Sequence, residues 1–137
     1  VTRKITRAVA AIAAGTQQHL YMGNLDSIRD WGYAPEYVEG MWRMLQADAP
    51  DDYVLATGTG HTVREFCEAA FAHAGLNWED HVRYDKSFER PSEVDALIGD
   101  ASKAQARLGW KAQTTALDLA RLMVDADRED LDRLLGS

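Results

Sequence analysis

The chain has 137 residues, room for one domain, and a chain of this size buries roughly 68% of the surface its unfolded form exposes. Its residues are 46% hydrophobic and 27% charged, the balance of a soluble globular protein, and its net charge is −7. That charge argues against nonspecific binding to nucleic acid or anionic membranes, both of which need a dominant basic face, and no apolar run approaches the roughly 20 residues that cross a bilayer.

The chain opens inside a helical pattern and without an initiator Met, which leads us to expect part of a longer polypeptide. No secretory signal is visible. Ile5, Val9, Ile12 and Ala13 recur at helical spacing and Gly15 is a stop, predicting a helix over about residues 3 to 14. His19-Leu20-Tyr21 reads as a short strand, leading through a Gly23-Asn24-Leu25-Asp26 turn into a loop that carries Arg29. Pro35 suits the first turn of the next helix, where its missing N–H has no partner to lose. Tyr37, Val38, Met41, Met44 and Leu45 form the apolar stripe of that helix. Pro50-Asp51-Asp52 then turns the chain into an expected strand, Tyr53 to Ala56.

Thr62 and Glu65 stand three apart as a capping box. The helix they open should turn Val63, Phe66, Cys67, Ala70 and Ala74 inward and stop at Gly75. Asn77 caps a single turn, His81 to Tyr84 reads as a strand, and residues 85 to 93 as a loop. Ala96-Leu97-Ile98 is a further short strand, and Asp100 a cap for a helix ending at Leu108-Gly109. Thr115 caps the last helix, whose expected apolar face is Leu119, Leu122, Met123 and Ala126. The mixed-charge tail from Asp127, with Leu131, Leu134 and Leu135, reads as a solvated helical face. Short strands alternating with helices make a mixed α/β lobe, not a complete doubly wound domain.

Gly58-Thr59-Gly60-His61-Thr62-Val63 has two glycines of a dinucleotide fingerprint, with Val63 in place of the third. A tight turn feeding a capped helix accounts for it better. His19, His61, His73 and His81 have no metal-ligand spacing. Cys67, the single cysteine, lies among Phe66, Ala69 and Ala70 and predicts a buried thiol, in keeping with a reducing cytoplasm. The arginines carry more. Arg29, with Asp30 beside it to orient the guanidinium and Trp31 and Tyr33 to anchor the loop, matches the planar, always-charged group that suits a diphosphate. Arg90 precedes Pro91, which restricts its backbone, and Glu93 offers an acceptor for ribose hydroxyls. Two such arginines converging would clamp one phosphorylated small molecule. A structural Arg29–Asp30 pair and a solvated Arg90 are the plainer alternatives.

At these residues the chain resembles the C-terminal part of the GDP-mannose 4,6-dehydratase family, within the extended short-chain dehydrogenases/reductases. The matching stretches are Val1 to Val9, Gly23 to Asp26, Arg29-Asp30-Trp31-Gly32-Tyr33-Ala34-Pro35-Glu36-Tyr37-Val38, Asp52-Tyr53-Val54 with Ala56-Thr57-Gly58, Val63 to Phe66, Arg90-Pro91-Ser92-Glu93-Val94-Asp95, and Leu108 to Lys111. They cover nearly the whole chain, thinning after about Asp127. The resemblance implies a mixed α/β substrate-binding lobe of a Rossmann-type enzyme, with the N-terminal Rossmann domain missing and residues 1–137 binding the nucleotide sugar. Arg29 and Arg90 would hold the GDP diphosphate, Glu93 the ribose, and Lys4 and Asn24 would line the nucleotide pocket. The implied substrate is GDP-mannose, and the product GDP-4-dehydro-6-deoxymannose. Hydride leaves C4 for NADP, water is eliminated across C5 and C6, and hydride returns to C6. NADP would be held mainly by the missing domain, and the full-length enzyme is expected to be a cytoplasmic homo-oligomer.

The chain departs from the family in lacking the dinucleotide fingerprint. None of its five tyrosines has a lysine four residues later, so the Tyr-x-x-x-Lys base is absent. Ser87-Phe88-Glu89 also differs from the more aromatic, basic run expected before Arg90. The chain alone is therefore expected to be inactive and, lacking its partner domain, poorly soluble or self-associating. A noncatalytic nucleotide-sugar-binding or interaction module, and a lobe of a related nucleotide-sugar epimerase, stay open as alternatives.

Overall fold

Residues 1 to 136 are described by a computed structural model. Helix α1 (Thr2–Ala13) buries Ile5, Val9 and Ile12, the residues its apolar spacing selects. Strand β1 (Leu20–Met22) points Leu20 and Met22 into the same core and Tyr21 outward, as the two-residue period of a strand requires. Strand β2 (Ile28–Arg29) follows, then α2 (Ala34–Gln46) with Pro35 in its first turn. Strand β3 (His61–Thr62) runs directly into α3 (Val63–His73), where Thr62 Oγ1 accepts from Glu65 N at 3.1 Å. One 3-10 turn, Trp78–Asp80, is capped by Asn77 and leads into β4 (Val82–Tyr84). The stretch expected as loop over 85 to 93 holds a second 3-10 turn, Lys86–Phe88. Then come β5 (Ala96–Leu97), α4 (Ser102–Leu108) and α5 (Ala116–Leu135), whose Thr115 cap accepts from Asp118 N at 3.1 Å.

β1 and β4 form a parallel pair with Leu20 opposite Val82. β2 is the middle of a second sheet, antiparallel to β3 and parallel to β5, with Ile28 opposite both Thr62 and Ala96. The core lies where α1, α3 and α5 meet the first sheet, around Ile5, Val9, Phe66, Phe71 and Val124. Cys67 is fully buried there, and burial pushes its thiol up to about 12.

Several expectations need correction. Tyr53 to Ala56 is not a strand and pairs with none among the described residues; Ala56 and Val54 instead pack close against Gly99. The stripe on α2 is not buried: Val38, Met41 and Leu45 are 62%, 54% and 82% exposed. The helix instead packs through Gly40, where a Cβ would come within 2.7 Å of Leu55 and 3.0 Å of the Trp110 indole nitrogen. On α5 the inward register is Ala116, Leu119, Ala120, Val124 and Asp127, which turns Leu122 outward. Asp127 is thus buried rather than solvated, accepting from Thr6 Oγ1 at 2.6 Å and pairing with Arg3 at 3.2 Å. Asp100 caps through Ser102 N at 2.9 Å, although the helix boundary falls at Ala101.

Candidate functional site

The first half of the site is built on β2. Asn24 turns the chain after β1, its Oδ1 accepting from Asp26 N at 2.9 Å, and Ser27 brings the backbone into the second sheet. Gly23 precedes the turn because residues 88 and 89 cross over it: a Cβ there would lie 2.7 Å from the Phe88 carbonyl. Arg29 is therefore a strand residue and not a loop residue. Its Nη1 donates to the carbonyls of Ile28 and Val94, both at 2.8 Å, and its Nη2 stands 3.7 Å from Glu93 Oε1. The guanidinium is thus held in place along one edge.

Asp30 does not orient it. Its carboxylate faces the other way and accepts from Thr57 N at 3.0 Å, Gly58 N at 2.9 Å and Gly99 N at 3.2 Å, and from the Thr57 hydroxyl. Burial pushes this carboxyl up, and the four hydrogen bonds outweigh burial and hold it below its ordinary value. Asp30 directly follows the last residue of β2, where successive side chains leave alternate faces. Trp31, expected as an anchor, packs on Phe66 with ring centres 5.2 Å apart.

The second half comes from the segment after β4. Glu93 Oε1 accepts from Ser27 Oγ at 2.7 Å and Oε2 from Asn24 Nδ2 at 3.1 Å. These two bonds, Ser27 first, and the nearby Arg29 and Arg90 hold its carboxyl below the usual range. Arg90 is exposed and has no ion pair within 4 Å among the described residues. Lys4 reaches in from α1 and sits 3.5 Å above the Phe88 ring centre. Desolvation lowers its pKa, with Asp85 opposing.

Lys4, Asn24, Arg29, Arg90 and Glu93 all line one hollow of about 240 Å³, so the two arginines meet in a shared space. Ser27 and Phe88 line it too, and reading the sequence missed both. A serine two residues before Arg29 carries no signal of its own, and Phe88 lies in the run that departs from the family. A larger hollow of about 520 Å³ lies between α1 and the end of α5, but its Arg3 is tied to Asp127 and its Arg133 to Glu129 and Asp130. Two of its three arginines are thus paired within the protein.

Among solved structures, the chain superposes on RMD from Pseudomonas aeruginosa complexed with NADPH at a TM-score of 0.84, with 20% identity over 94% of this chain and 42% of that one. It also matches UDP-glucose 4-epimerase from Bifidobacterium longum, at 0.73 and 25% identity over 94% and 40%. The fold is the mixed α/β C-terminal part of an extended short-chain dehydrogenase/reductase.

The family model for GDP-mannose 4,6 dehydratase matches residues 1–123. The chain belongs to the GDP-mannose 4,6-dehydratase family. It is 55% identical to GDP-mannose 4,6 dehydratase 1 of Arabidopsis thaliana over 94% of this chain and 36% of that protein. The corresponding protein of Sinorhizobium fredii is 50% identical over 100% and 43%, and that of Homo sapiens 47% over 94% and 39%. The chain therefore spans well under half the length of these curated relatives. No helix among the described residues is long and apolar enough to cross a membrane.

Proposed function

We propose that this chain supplies the nucleotide-sugar-binding part of a longer GDP-mannose 4,6-dehydratase, a cytoplasmic homo-oligomer that converts GDP-mannose to GDP-4-dehydro-6-deoxymannose. The observation that carries the reading is the hollow in which two arginines, a lysine and a carboxylate from three separate stretches of chain converge. Arg29, anchored through Nη1 and with Nη2 3.7 Å from Glu93 Oε1, offers its remaining donors to a diphosphate oxygen, and Arg90 closes on the same group. Glu93 accepts from the ribose hydroxyls, while Lys4 and Asn24 bound the rest of the nucleotide.

The cofactor that the family implies, NADP, finds no cradle in the described residues. Gly58 N–H is committed to Asp30, and Val63, where a third fingerprint glycine would stand, is buried in the core. We assign NADP and the catalytic residues to the remainder of the polypeptide. That remainder also covers the exposed face of α2. The epimerase alternative has less support, because relatives at 47 to 56% identity are named GDP-mannose dehydratases.

Removing one charge-assisted contact costs about 1.5–3 kcal/mol, so Arg29→Ala in the full chain should weaken GDP-mannose binding about 10- to 100-fold. NADP binding should not change. Calorimetric titration with each ligand checks this, and equal loss of both would make Arg29 a structural residue.

A further inference from the structure

Ser27 is 3% exposed, lies at the wall of the hollow, and has its backbone pinned by Val63 N, which donates to its carbonyl at 3.1 Å. Its hydroxyl accepts from Asn24 Nδ2 at 3.1 Å and donates to Glu93 Oε1 at 2.7 Å. The second hydrogen of the same Asn24 amide goes to Glu93 Oε2 at 3.1 Å, and the Asn24 carbonyl oxygen is held by Asp26 N at 2.9 Å. The three side chains therefore close a ring in which every hydrogen has one assigned direction. A carboxylate offers about four lone-pair sites. One on each oxygen is taken by this ring, and one on each oxygen remains.

We propose that Ser27 is a positioning residue: with Asn24 it clamps Glu93 so that its two remaining acceptor sites face the hollow as a pair, the arrangement that takes both hydroxyls of a cis-vicinal diol and selects ribonucleoside over 2′-deoxyribonucleoside diphosphates. The inference rests on the nucleotide-sugar reading of the hollow and names the residue that sets its sugar selectivity. A free glutamate at the rim would rotate and accept from one hydroxyl at a time. The clamped one presents both oxygens at a fixed spacing and loses no rotamer freedom when the ligand arrives. Of the charged groups around it, Arg29 from β2 and Arg90 from its own loop favour its anionic form, and Lys4 from α1 lines the same hollow.

The test is titration of the full chain with GDP, 2′-deoxy-GDP and inorganic pyrophosphate, in the unmodified protein and in Ser27→Ala. The unmodified protein should prefer GDP over 2′-deoxy-GDP about tenfold, the size of one hydrogen bond to a charged group. In Ser27→Ala the preference should fall to about twofold while pyrophosphate affinity stays within about twofold of the original. An unchanged preference overturns the proposal. So does a parallel loss of GDP and pyrophosphate, which would mean that Ser27 merely holds the loop together. GDP bound with no ribose preference by the unmodified protein overturns it too, yet leaves the diphosphate clamp standing; failure to bind GDP or pyrophosphate at all sinks the underlying reading with it. A second measurement needs no variant. Glu93 is held below its ordinary value, so the midpoint at which acid abolishes the ribose preference should lie below about pH 4.3, where an unclamped glutamate is half protonated. A midpoint at or above that pH overturns the clamp.

Discussion

Two flanks of this molecule treat the same kind of residue in opposite ways. Where α1, α3 and α5 meet, Ile5, Val9, Phe66 and Val124 are fully enclosed. On α2, Val38, Met41, Trp42 and Leu45, at equally regular helical spacing, stand 54 to 82% exposed. Both flanks carry a stripe that a helix must bury to be worth forming. The first finds its partners within residues 1 to 136 and the second does not. Exposed apolar faces of this kind mark a surface made for another piece of protein.

The contrast can be broken most forcefully on the packed flank. Phe66→Ala should cost about 3–5 kcal/mol, since it removes an enclosed ring and leaves a cavity that α1 and α3 can only partly close. Urea unfolding would measure it, and a cost below about 1 kcal/mol would mean that the core is looser than its burial indicates.

A smaller loss should come from the seam between the flanks, where Asp30 holds the stretch after Tyr53. Asp30→Asn removes one charged acceptor from three backbone N–H groups, a cost of about 1–3 kcal/mol. The sign of its pH dependence follows from a carboxyl held low in the folded state. Its contribution is fully present above the ordinary aspartate value of about 3.9 and is lost as pH falls through the lowered folded one. The stability gap between the unmodified protein and Asp30→Asn should therefore be constant near neutrality and close only in strong acid. A gap that closes by pH 5 would contradict the hydrogen-bonded geometry.

The open flank should show the smallest change in stability and the clearest change in association. Leu45→Ser should alter unfolding by no more than about 0.5 kcal/mol, as surface positions do. The 137-residue chain by itself should self-associate through α2, and Leu45→Ser should shift it towards monomer in sedimentation. A monodisperse monomer without the substitution would show that this face is not adhesive.

Most of the helical framework was readable from residues alone. The Thr62 and Thr115 hydroxyls cap the helices they precede, Asn77 caps its single turn, and Pro35 opens α2, because capping involves only neighbours two or three residues apart. The short strands were less readable: β2, β3 and β5 are two residues each, too short for alternation to register. The Arg29 and Arg90 motifs could be recognised one at a time. Their meeting in one hollow depends on β2 lying parallel to β5, a pairing between stretches about seventy residues apart that leaves no local trace.

Sequence by itself therefore determined which segments become helices, where they start, and which family's sequence motifs the chain carries, since all of these are encoded in short runs of neighbouring residues. Tertiary structure alone decided which apolar stripe is covered, that Asp30 holds Thr57, Gly58 and Gly99 instead of Arg29, that Asp127 turns inward to Thr6, and that Ser27 takes hold of Glu93. Those outcomes rest on contacts between residues 27 to 121 positions apart, and the direction of a side chain across such a gap is set by the packing of whole elements.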